Sequence, residues 1–233
     1  METKLSTHRL DALFLRDKNL VDDVIGKMSF TDAMFYHIVG TPPTRGQTAV
    51  LDAVLVTLME HGLTPSAIST RLTYLSAPEA MQSAIAAGLL NVGSQFIGTM
   101  ENTATLLAKI QSDPAGVEAS CQQIAQQHKD AGKNMPGFGH HLHRPDDPRS
   151  PKLFAIAAAH EDIDQSPIKA INALGAAVDE IYGKHLTINA TGATAAVLMG
   201  AGIPARIMRG FAVISRAAGL VAHVMEEQET PTG

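Results

Sequence analysis

The chain has 233 residues, of which 45% are hydrophobic and 18% are charged, and its formal net charge is −5. This composition is typical of a well-packed globular protein and excludes a disordered one. The negative net charge argues against a nucleic-acid partner. The single cysteine, Cys121, excludes an intrachain disulfide and a cysteine-rich zinc site.

Apolar runs and the N-terminus indicate where the protein works. The longest apolar runs, such as AAVLMGAGIPA, are shorter than the roughly 20 residues that a membrane span needs. The N-terminal stretch METKLSTHRLDALF carries scattered charges in place of the apolar core of a signal peptide. We therefore expect no membrane partner and a cytoplasmic location.

The first half of the chain predicts a series of helices with clear start and stop signals. Ser29 stands three residues before Asp32 in SFTDAMFYHIVG, a pattern typical of a helix N-terminus, and Gly40 marks the end. The stretch AVLDAVLVTLMEHG carries apolar residues at helical spacing. Two further helices are predicted in APEAMQSAIAAGLL and GTMENTATLLAKI.

The second half continues the helical pattern. DPAGVEASCQQIAQQHKDAG predicts a helix with proline near its first turn, and SPKLFAIAAAHE and SPIKAINALGAAVDEIYGK predict two more. The C-terminal part predicts two apolar helices that are split at Ile203-Pro204. Since no strand alternation or β-hairpin signal is present, we predict an all-α fold with nine or ten helices.

The most apolar helices bear on the oligomeric state. Residues 190–201 and 204–225 are apolar over most of the helix circumference. Such helices lie either at the centre of a large core or against a second subunit. In a chain this short the second explanation is the more economical, and we predict a homodimer.

A loop that contains three of the ten histidines carries the candidate chemistry. It reads MPGFGHHLHRPDDPR, and its glycines and proline let backbone N–H groups turn toward a ligand. Asp146 and Asp147 lie within its positive patch and can orient the cations. The members of that patch are His140, His141, His143, Arg144, Arg149 and Lys152. The loop suits anionic ligands, and a neutral imidazole can stabilise an oxygen that gains charge.

Two other interpretations of the loop stay open at this point. HHLH is compatible with a transition-metal site, although no second cluster of acids or histidines completes it. A solvated basic turn without any function is the second alternative.

The segment PGFGHHLHRPDDPRSPKLF resembles the histidine loop of the citrate synthase superfamily, in which GFGH or GYGH precedes a DPR triplet. NLVDDVIGKMSFTDAMFYHIVGTPPT is similar to the N-terminal segment of that superfamily. LMEHGLTPSAISTRL and AAGLLNVGSQFIGTMENTATLLAKI resemble its central helices, and INATGATAAVLMGAGIP and GFAVISRAAGLVAHVMEEQ its C-terminal pair. Within the superfamily, the chain is most similar to the short citryl-CoA lyases and to the citryl-CoA lyase module of ATP citrate lyase.

The resemblance implies a fold and a reaction. It implies a single dimeric unit over 1–233, with a large helical domain built from both chain ends and a small lobe at roughly 115–185. The implied reaction cleaves citryl-CoA to acetyl-CoA and oxaloacetate, or joins the two. Coenzyme A then enters as part of the substrate, and we predict no metal.

The resemblance also assigns roles to individual residues. His140 matches the histidine that hydrogen-bonds the oxaloacetate carbonyl or the citrate hydroxyl. Arg149 and Arg216 match arginines that bind carboxylates, for which a bidentate guanidinium is suited. His61 in MEHG aligns with a histidine near the citrate pocket. By residue type alone, Arg216 is typical of a helix surface and His61 of a helix C-terminus.

Two further groups of residues complete the implied site. The adenine end of coenzyme A is expected on the backbone of Met135, Pro136, Gly137, Phe138 and Gly139. His143 is expected near the substrate, and we predict that it and His141 tune the loop and matter less than His140.

The chain departs from the family at the catalytic aspartate. Family members carry N-x-D-G, whereas this chain reads Asn189-Ala190-Thr191-Gly192. Thr191 has no accessible anionic form near neutral pH and cannot act as a carboxylate base. A role as a helix N-cap suits its residue type, and the neighbouring Asn189 could serve the same turn. The second catalytic histidine of the family has no certain counterpart, and Ser69 or Asn91 stands in the aligned stretches.

Two hypotheses follow from this departure. The first is an active citryl-CoA lyase or citrate synthase-like enzyme. The second is a catalytically impaired homologue that binds coenzyme A or a di- or tricarboxylate in a regulatory role. A purely structural scaffold fits poorly with the cationic loop and the two arginines.

Overall fold

The computed structural model describes residues 3–93 and 98–232. Within those ranges the chain forms ten α-helices, and a π-helical turn at Leu20–Val24 precedes them. Their bounds are α1 Phe30–Val39, α2 Arg45–Met59, α3 Pro65–Ser76, α4 Met81–Leu89, α5 Thr99–Ser112, α6 Val117–Asp130, α7 Arg149–Ala158, α8 Ser166–Tyr182, α9 Ala190–Gly200 and α10 Ala205–Glu229. The helical fold class is confirmed, and the break at Ile203-Pro204 separates α9 from α10. Residues 94–97, within one of the family-like stretches, lie outside the described residues.

The N-terminus forms a small antiparallel sheet, so the prediction that the chain lacks hairpins was wrong. Its strands are β1 Ser6–His8, β2 Leu13–Leu15 and β3 Lys18–Asn19, in the order β1-β2-β3. Strands of two or three residues are too short to show an alternating pattern. The turn before β3 places Arg16 at a φ of 55°, where a glycine or asparagine would have signalled a hairpin.

Side-chain caps explain where several helices begin. Ser29 accepts a hydrogen bond from the Asp32 amide, and Gly40 ends α1 in the left-handed region, both as predicted. Thr44 forms a full capping box with Gln47 at the start of α2. The prediction for α6 was wrong in detail. That helix begins only at Val117, because Gly116 before it has a φ of 91°.

Helix α9 lies at the centre of the core. Nine of its residues are buried, and it packs against α5, α7 and α8. Cys121 on α6 is buried in the same core, where a free cysteine packs like a small hydrophobe. Burial raises the pKa of its thiol to about 11, which opposes a nucleophilic role. The division into a large domain and a lobe at roughly 115–185 stays a prediction.

Helix α10 is held tightly against the C-terminal end of α2. The Ser215 hydroxyl donates to the Leu55 carbonyl oxygen, and a Cβ added at Gly219 would overlap the Met59 carbonyl oxygen. Glycine therefore allows the two backbones to meet. This contact places Arg216 beside the loop that follows α2.

Helix α10 resembles a membrane-spanning helix in its length and apolar composition. Among the described residues it is the one helix that is long and apolar enough to span a membrane, and half of its most apolar window is buried inside the protein. Buried core helices of soluble proteins share this length and apolar composition. That the protein has no membrane partner stays a prediction.

We expect Gly219→Ala to destabilise the protein by about 1–3 kcal/mol, because the new methyl group overlaps the α2 backbone. Gly210→Ala is the matched control on the same helix, because no atom lies within 4 Å of the position that its Cβ would take. That substitution should stabilise the protein by about 1 kcal/mol through helix propensity. Urea unfolding of both variants checks the pair, and equal effects would contradict the tight contact.

Candidate active site

A cavity of about 1160 Å³ brings the predicted site residues together. It lies where the end of α2, the histidine loop (residues 135–148), α9 and α10 meet. The predicted residues on its wall are His61, Met135, Pro136, Gly137, Phe138, Gly139, His140, Arg149, Thr191 and Arg216. His143 is not on that wall, but its ring centroid lies 4.4 Å from that of His140.

Four imidazole rings form a cluster at one end of this cavity. The His61 ring centroid lies 5.4 Å from that of His140 and 5.6 Å from that of His143. His141 stacks on the outer side of His140 at 4.7 Å. His61 thus joins the loop histidines from a segment about eighty residues away in the sequence.

The hydrogen bonds of His140 fix its tautomer. Its Nδ1 atom accepts from the backbone amides of Leu142 and His143, each at 3.1 Å. An accepting Nδ1 carries no proton, so the proton of the neutral ring is on Nε2. Burial, with the neighbouring His143, lowers the pKa of His140 to about 4. Near neutral pH the ring is therefore an uncharged hydrogen-bond donor through Nε2.

His61 is half-buried and presents a nitrogen without a partner. Its Nε2 atom is buried and has no hydrogen-bond partner among the described residues. Burial lowers the pKa of His61, and the cations Arg149 and Arg216 lower it further. The loop backbone is fixed by Glu60, whose carboxylate accepts from the amides of His61 and Gly62 at 2.7 and 2.5 Å.

Arg216 is a buried cation with free donors. Only 3% of the residue is exposed, and its Nε and Nη1 atoms have no partner among the described residues. Burial lowers the pKa of its guanidinium, while Glu60 acts in the opposite direction. A guanidinium keeps its charge in proteins. Glu60 offsets part of this charge, and an anion in the cavity would offset more.

Asp147 positions Arg149 and joins the histidine loop to α9. Its carboxylate accepts from Arg149 Nε at 2.9 Å and Nη2 at 2.7 Å, and from the Ala190 amide at 3.0 Å. Burial opposes its ionisation, but the Arg149 bonds outweigh burial and lower the pKa of Asp147. The prediction that Asp147 orients the loop cations agrees with this geometry. Asp146 instead contacts His185, which is not a member of the positive patch. The Asp146 Oδ1 atom lies 3.0 Å from the Nε2 atom of His185.

Thr191 belongs to a chain of neutral side chains. Its hydroxyl donates to Asn189 Oδ1 at 2.7 Å, so its oxygen accepts from the Thr99 hydroxyl, also at 2.7 Å. Asn189 Oδ1 additionally accepts from the Gly192 amide. The N-cap of α9 is therefore Asn189, and the alternative of Thr191 as the N-cap was wrong.

The glycines of PGFG let the loop pass very close to α9. Gly137 has a φ of 84°, and a Cβ at Gly192 would overlap its carbonyl oxygen. The Gly137 carbonyl accepts from the Asn189 amide at 3.0 Å, and the Gly139 amide donates to the Thr187 carbonyl at 2.8 Å. These contacts hold the loop as one wall of the cavity.

Sequence reasoning missed several residues of the cavity wall. Glu60, Thr99, Asn102, Lys133, Tyr182 and Lys184 all line it. They come from separate helices and loops and form no motif, so only their meeting in space reveals them. Of the two substitutes for the missing family histidine, Asn91 lines the cavity and donates to Ser69 at 3.0 Å.

The histidine cluster has the ligand count of a metal site. Ligand nitrogens of His61, His140 and His143 lie within 4.8 Å of one another. Two observations oppose a cation there. The Nε2 atom of His140 carries its proton, and the nearby Arg149 and Arg216 lower the pKa of His61, which shows a positive local field. That no metal is used stays a prediction.

Comparisons with known proteins show the family to which the chain belongs. Residues 12–232 match the family model "Citrate synthase, C-terminal domain". A citrate synthase of Haloferax volcanii is 28% identical over 199 residues, which are 83% of this chain and 50% of that protein. The chain thus spans about half the length of this curated relative.

Solved structures match more completely. The citryl-CoA lyase of Hydrogenobacter thermophilus superimposes with a TM-score of 0.88 at 30% identity, over 99% of this chain and 88% of that one. An ATP citrate lyase of Methanothrix soehngenii, in complex with citrate and coenzyme A, gives a TM-score of 0.84 over 98% of this chain and 39% of that one. At 18% identity, the second match shows the fold alone. Because the family model covers almost the whole sequence, the chain belongs to the citrate synthase family.

Proposed function

We propose that the protein makes or breaks the carbon–carbon bond between acetyl-CoA and oxaloacetate or a related keto acid, as a citryl-CoA lyase or citrate synthase-like enzyme. One observation carries the proposal: the buried guanidinium of Arg216 lines the cavity, and two of its donor atoms have no partner among residues 3–93 and 98–232. A buried, uncompensated charge is costly, so the cavity is built for an anion. The similarity to a citryl-CoA lyase supports citrate as the anionic part of the substrate.

The cations suit several carboxylates at once. Arg149 is held by Asp147 on one side and lines the cavity on the other, while Arg216 approaches from α10. A guanidinium with free N–H groups binds a carboxylate through paired hydrogen bonds. Two arginines therefore provide separate positions for two of the carboxylates of citrate or oxaloacetate.

His140 is suited to the oxygen on the carbon that reacts. In cleavage, the hydroxyl of the citryl group becomes the carbonyl of oxaloacetate, and in condensation the reverse occurs. A neutral Nε2–H donor can bind this oxygen in both forms without needing to change its protonation. The backbone bonds to Nδ1 keep this donor in place.

Coenzyme A is proposed to lie along the PGFG wall. Met135 to Gly139 line the cavity beside Lys133, Lys184 and Tyr182. Two lysines on this wall can attract phosphates, although the chain as a whole is negatively charged. The Tyr182 hydroxyl is buried without a partner among the described residues and provides a further polar contact.

Thr191 favours a second candidate function. The position of the family aspartate holds a neutral hydroxyl whose proton is already donated to Asn189. A catalytically impaired homologue that binds coenzyme A or a di- or tricarboxylate in a regulatory role fits this feature. The two candidates differ in whether the protein turns over citryl-CoA.

We further propose a cytoplasmic homodimer that uses no metal, membrane or nucleic-acid partner. Support for the dimer comes from apolar side chains on two helices that pack against each other. Helix α3 exposes Ile68, Leu72 and Leu75 at helical spacing, and α10 exposes Val221 and Met225. Exposed apolar surface of this kind marks an interaction site.

The purified protein should release oxaloacetate from synthetic citryl-CoA, and His140→Ala should lose this activity because the reacting oxygen loses its donor. Thr191→Asp should raise the rate, since a general base contributes about 10²–10⁴-fold. A coupled assay for oxaloacetate measures the rates of the wild type, His140→Ala and Thr191→Asp. A silent wild type beside an active Thr191→Asp would favour the impaired homologue over the enzyme.

Arg216→Met should raise the melting temperature of the ligand-free protein, because it removes an unpaired buried charge. The same change should weaken citrate binding by about 30-fold or more, the effect of losing a buried charged partner. Thermal melting with and without citrate measures both quantities. Arg206→Met, on the exposed side of α10, is the control and should alter neither.

Leu72→Glu should shift the protein toward the monomer by placing a charge in the proposed interface. Analytical ultracentrifugation over a range of concentrations measures the shift. Leu10→Glu introduces the same charge at the exposed turn between β1 and β2 and should leave the oligomeric state unchanged. Equal behaviour of the two variants would place the dimer contact elsewhere.

A further inference from the structure

We propose, on the basis of the function proposed above, that His61 is the general base that removes the hydroxyl proton of the citryl group. Cleavage of the carbon–carbon bond needs a group that accepts this proton. The site contains few candidates, and the hydrogen bonds of the described residues exclude most of them.

Neither carboxylate near the cavity is free to act. Glu60 is the only carboxylate on the described part of the cavity wall, and its Oε1 atom is bound by the amides of His61 and Gly62. Its Oε2 atom lies 3.0 Å from His223 Nε2. Asp147 is buried and bound by Arg149 and the Ala190 amide. Partners therefore lie at both oxygens of each carboxylate.

The loop histidines are also poorly placed to accept a proton. The lone pair of His140 is on Nδ1, where two backbone amides bind it, so its Nε2 atom can only donate. His141 is exposed and stacks outside His140. His143 is half-buried and its ring contacts that of His140, but it is not among the residues that line the cavity.

His61 meets the requirements that the others fail. It lines the cavity, and its buried Nε2 atom has no partner among the described residues. The backbone of His61 is held in place, because its amide donates to Glu60. His223 of α10 in turn contacts the Glu60 carboxylate. His223 is itself oriented by Arg71, whose Nε atom donates to its Nδ1 atom at 3.1 Å.

The charges around His61 make its basicity depend on the substrate. The titratable and charged groups that face it are Glu60, His140, His141, His143, Arg149 and Arg216. Without substrate, burial and the two arginines keep the ring neutral. Substrate carboxylates would offset the arginine charges and so strengthen His61 as a base. The ring then becomes more basic when the proton must be taken.

The proposed cleavage moves one proton to His61 and one electron pair to the acetyl-CoA carbon. His61 takes the hydroxyl proton, and the carbon–oxygen bond becomes the carbonyl of oxaloacetate, which His140 binds through Nε2–H. The carbon–carbon bond breaks, and its electron pair forms the enolate of acetyl-CoA. The enolate carbon takes a proton from water, and the His61 imidazolium returns its proton to water.

The test compares His61→Gln and His61→Asn with His8→Gln, a control on the exposed strand β1, in citryl-CoA cleavage over pH 5–9. We expect both His61 variants to lose about 10²–10⁴-fold in kcat and to lose the fall of kcat/KM at acidic pH. Citrate binding by calorimetry should change by only a few-fold, which also shows that the site is folded. His8→Gln should keep the kcat and the acidic fall of the wild type, because His8 is exposed on β1.

Two results would overturn the inference. The first is a His61 variant with near-normal kcat, or with a raised KM as its only defect, since His61 would then only bind substrate. The second is a wild-type acidic fall that persists in both His61 variants. An inactive wild type would contradict the proposed function itself and this inference with it, whereas an active wild type with unaffected His61 variants contradicts the inference alone.

Discussion

The candidate site depends on one buried carboxylate, that of Asp147. This group is fully buried and binds Arg149 through two guanidinium nitrogens and α9 through the Ala190 amide. A buried carboxylate is stable only where such donors surround it. The hydrogen bonds that Asp147 accepts fix the end of the histidine loop to α9, the helix that carries Thr191. The two parts of the site therefore cannot move independently.

The cavity has a strong positive bias and little anionic character of its own. Arg149, Arg216 and the imidazole cluster face it, and Glu60 is already used to hold backbone amides. Thr191 and Thr99 form a neutral pair where the family carries an aspartate. The site therefore has ample means to bind carboxylates and stabilise negative charge, but limited means to transfer protons. This imbalance makes proton transfer the critical question for its chemistry.

Much of the fold could be predicted because its signals are local. Ser29 and Gly40 mark helix ends through their own side chain or backbone, and apolar spacing marks the helices between such ends. The N-terminal sheet escaped prediction because its strands are too short to form a pattern. Within the site, motif resemblance found His140 and Arg149, which lie in one segment. Glu60 and Thr99 were missed because their importance arises only from contacts with residues distant in sequence.

The buried Arg216, whose Nε and Nη1 atoms have no partner among the described residues, affects the stability of the folded protein. A ligand that binds only the folded form increases the folded population in proportion to its concentration. Proteases remove chains chiefly from the unfolded population, so small changes in stability alter abundance several-fold. Under the proposed function, a carboxylate ligand that pairs with this buried cation would stabilise the folded chain and so lengthen its lifetime. The cellular level of the protein would then follow the supply of that ligand.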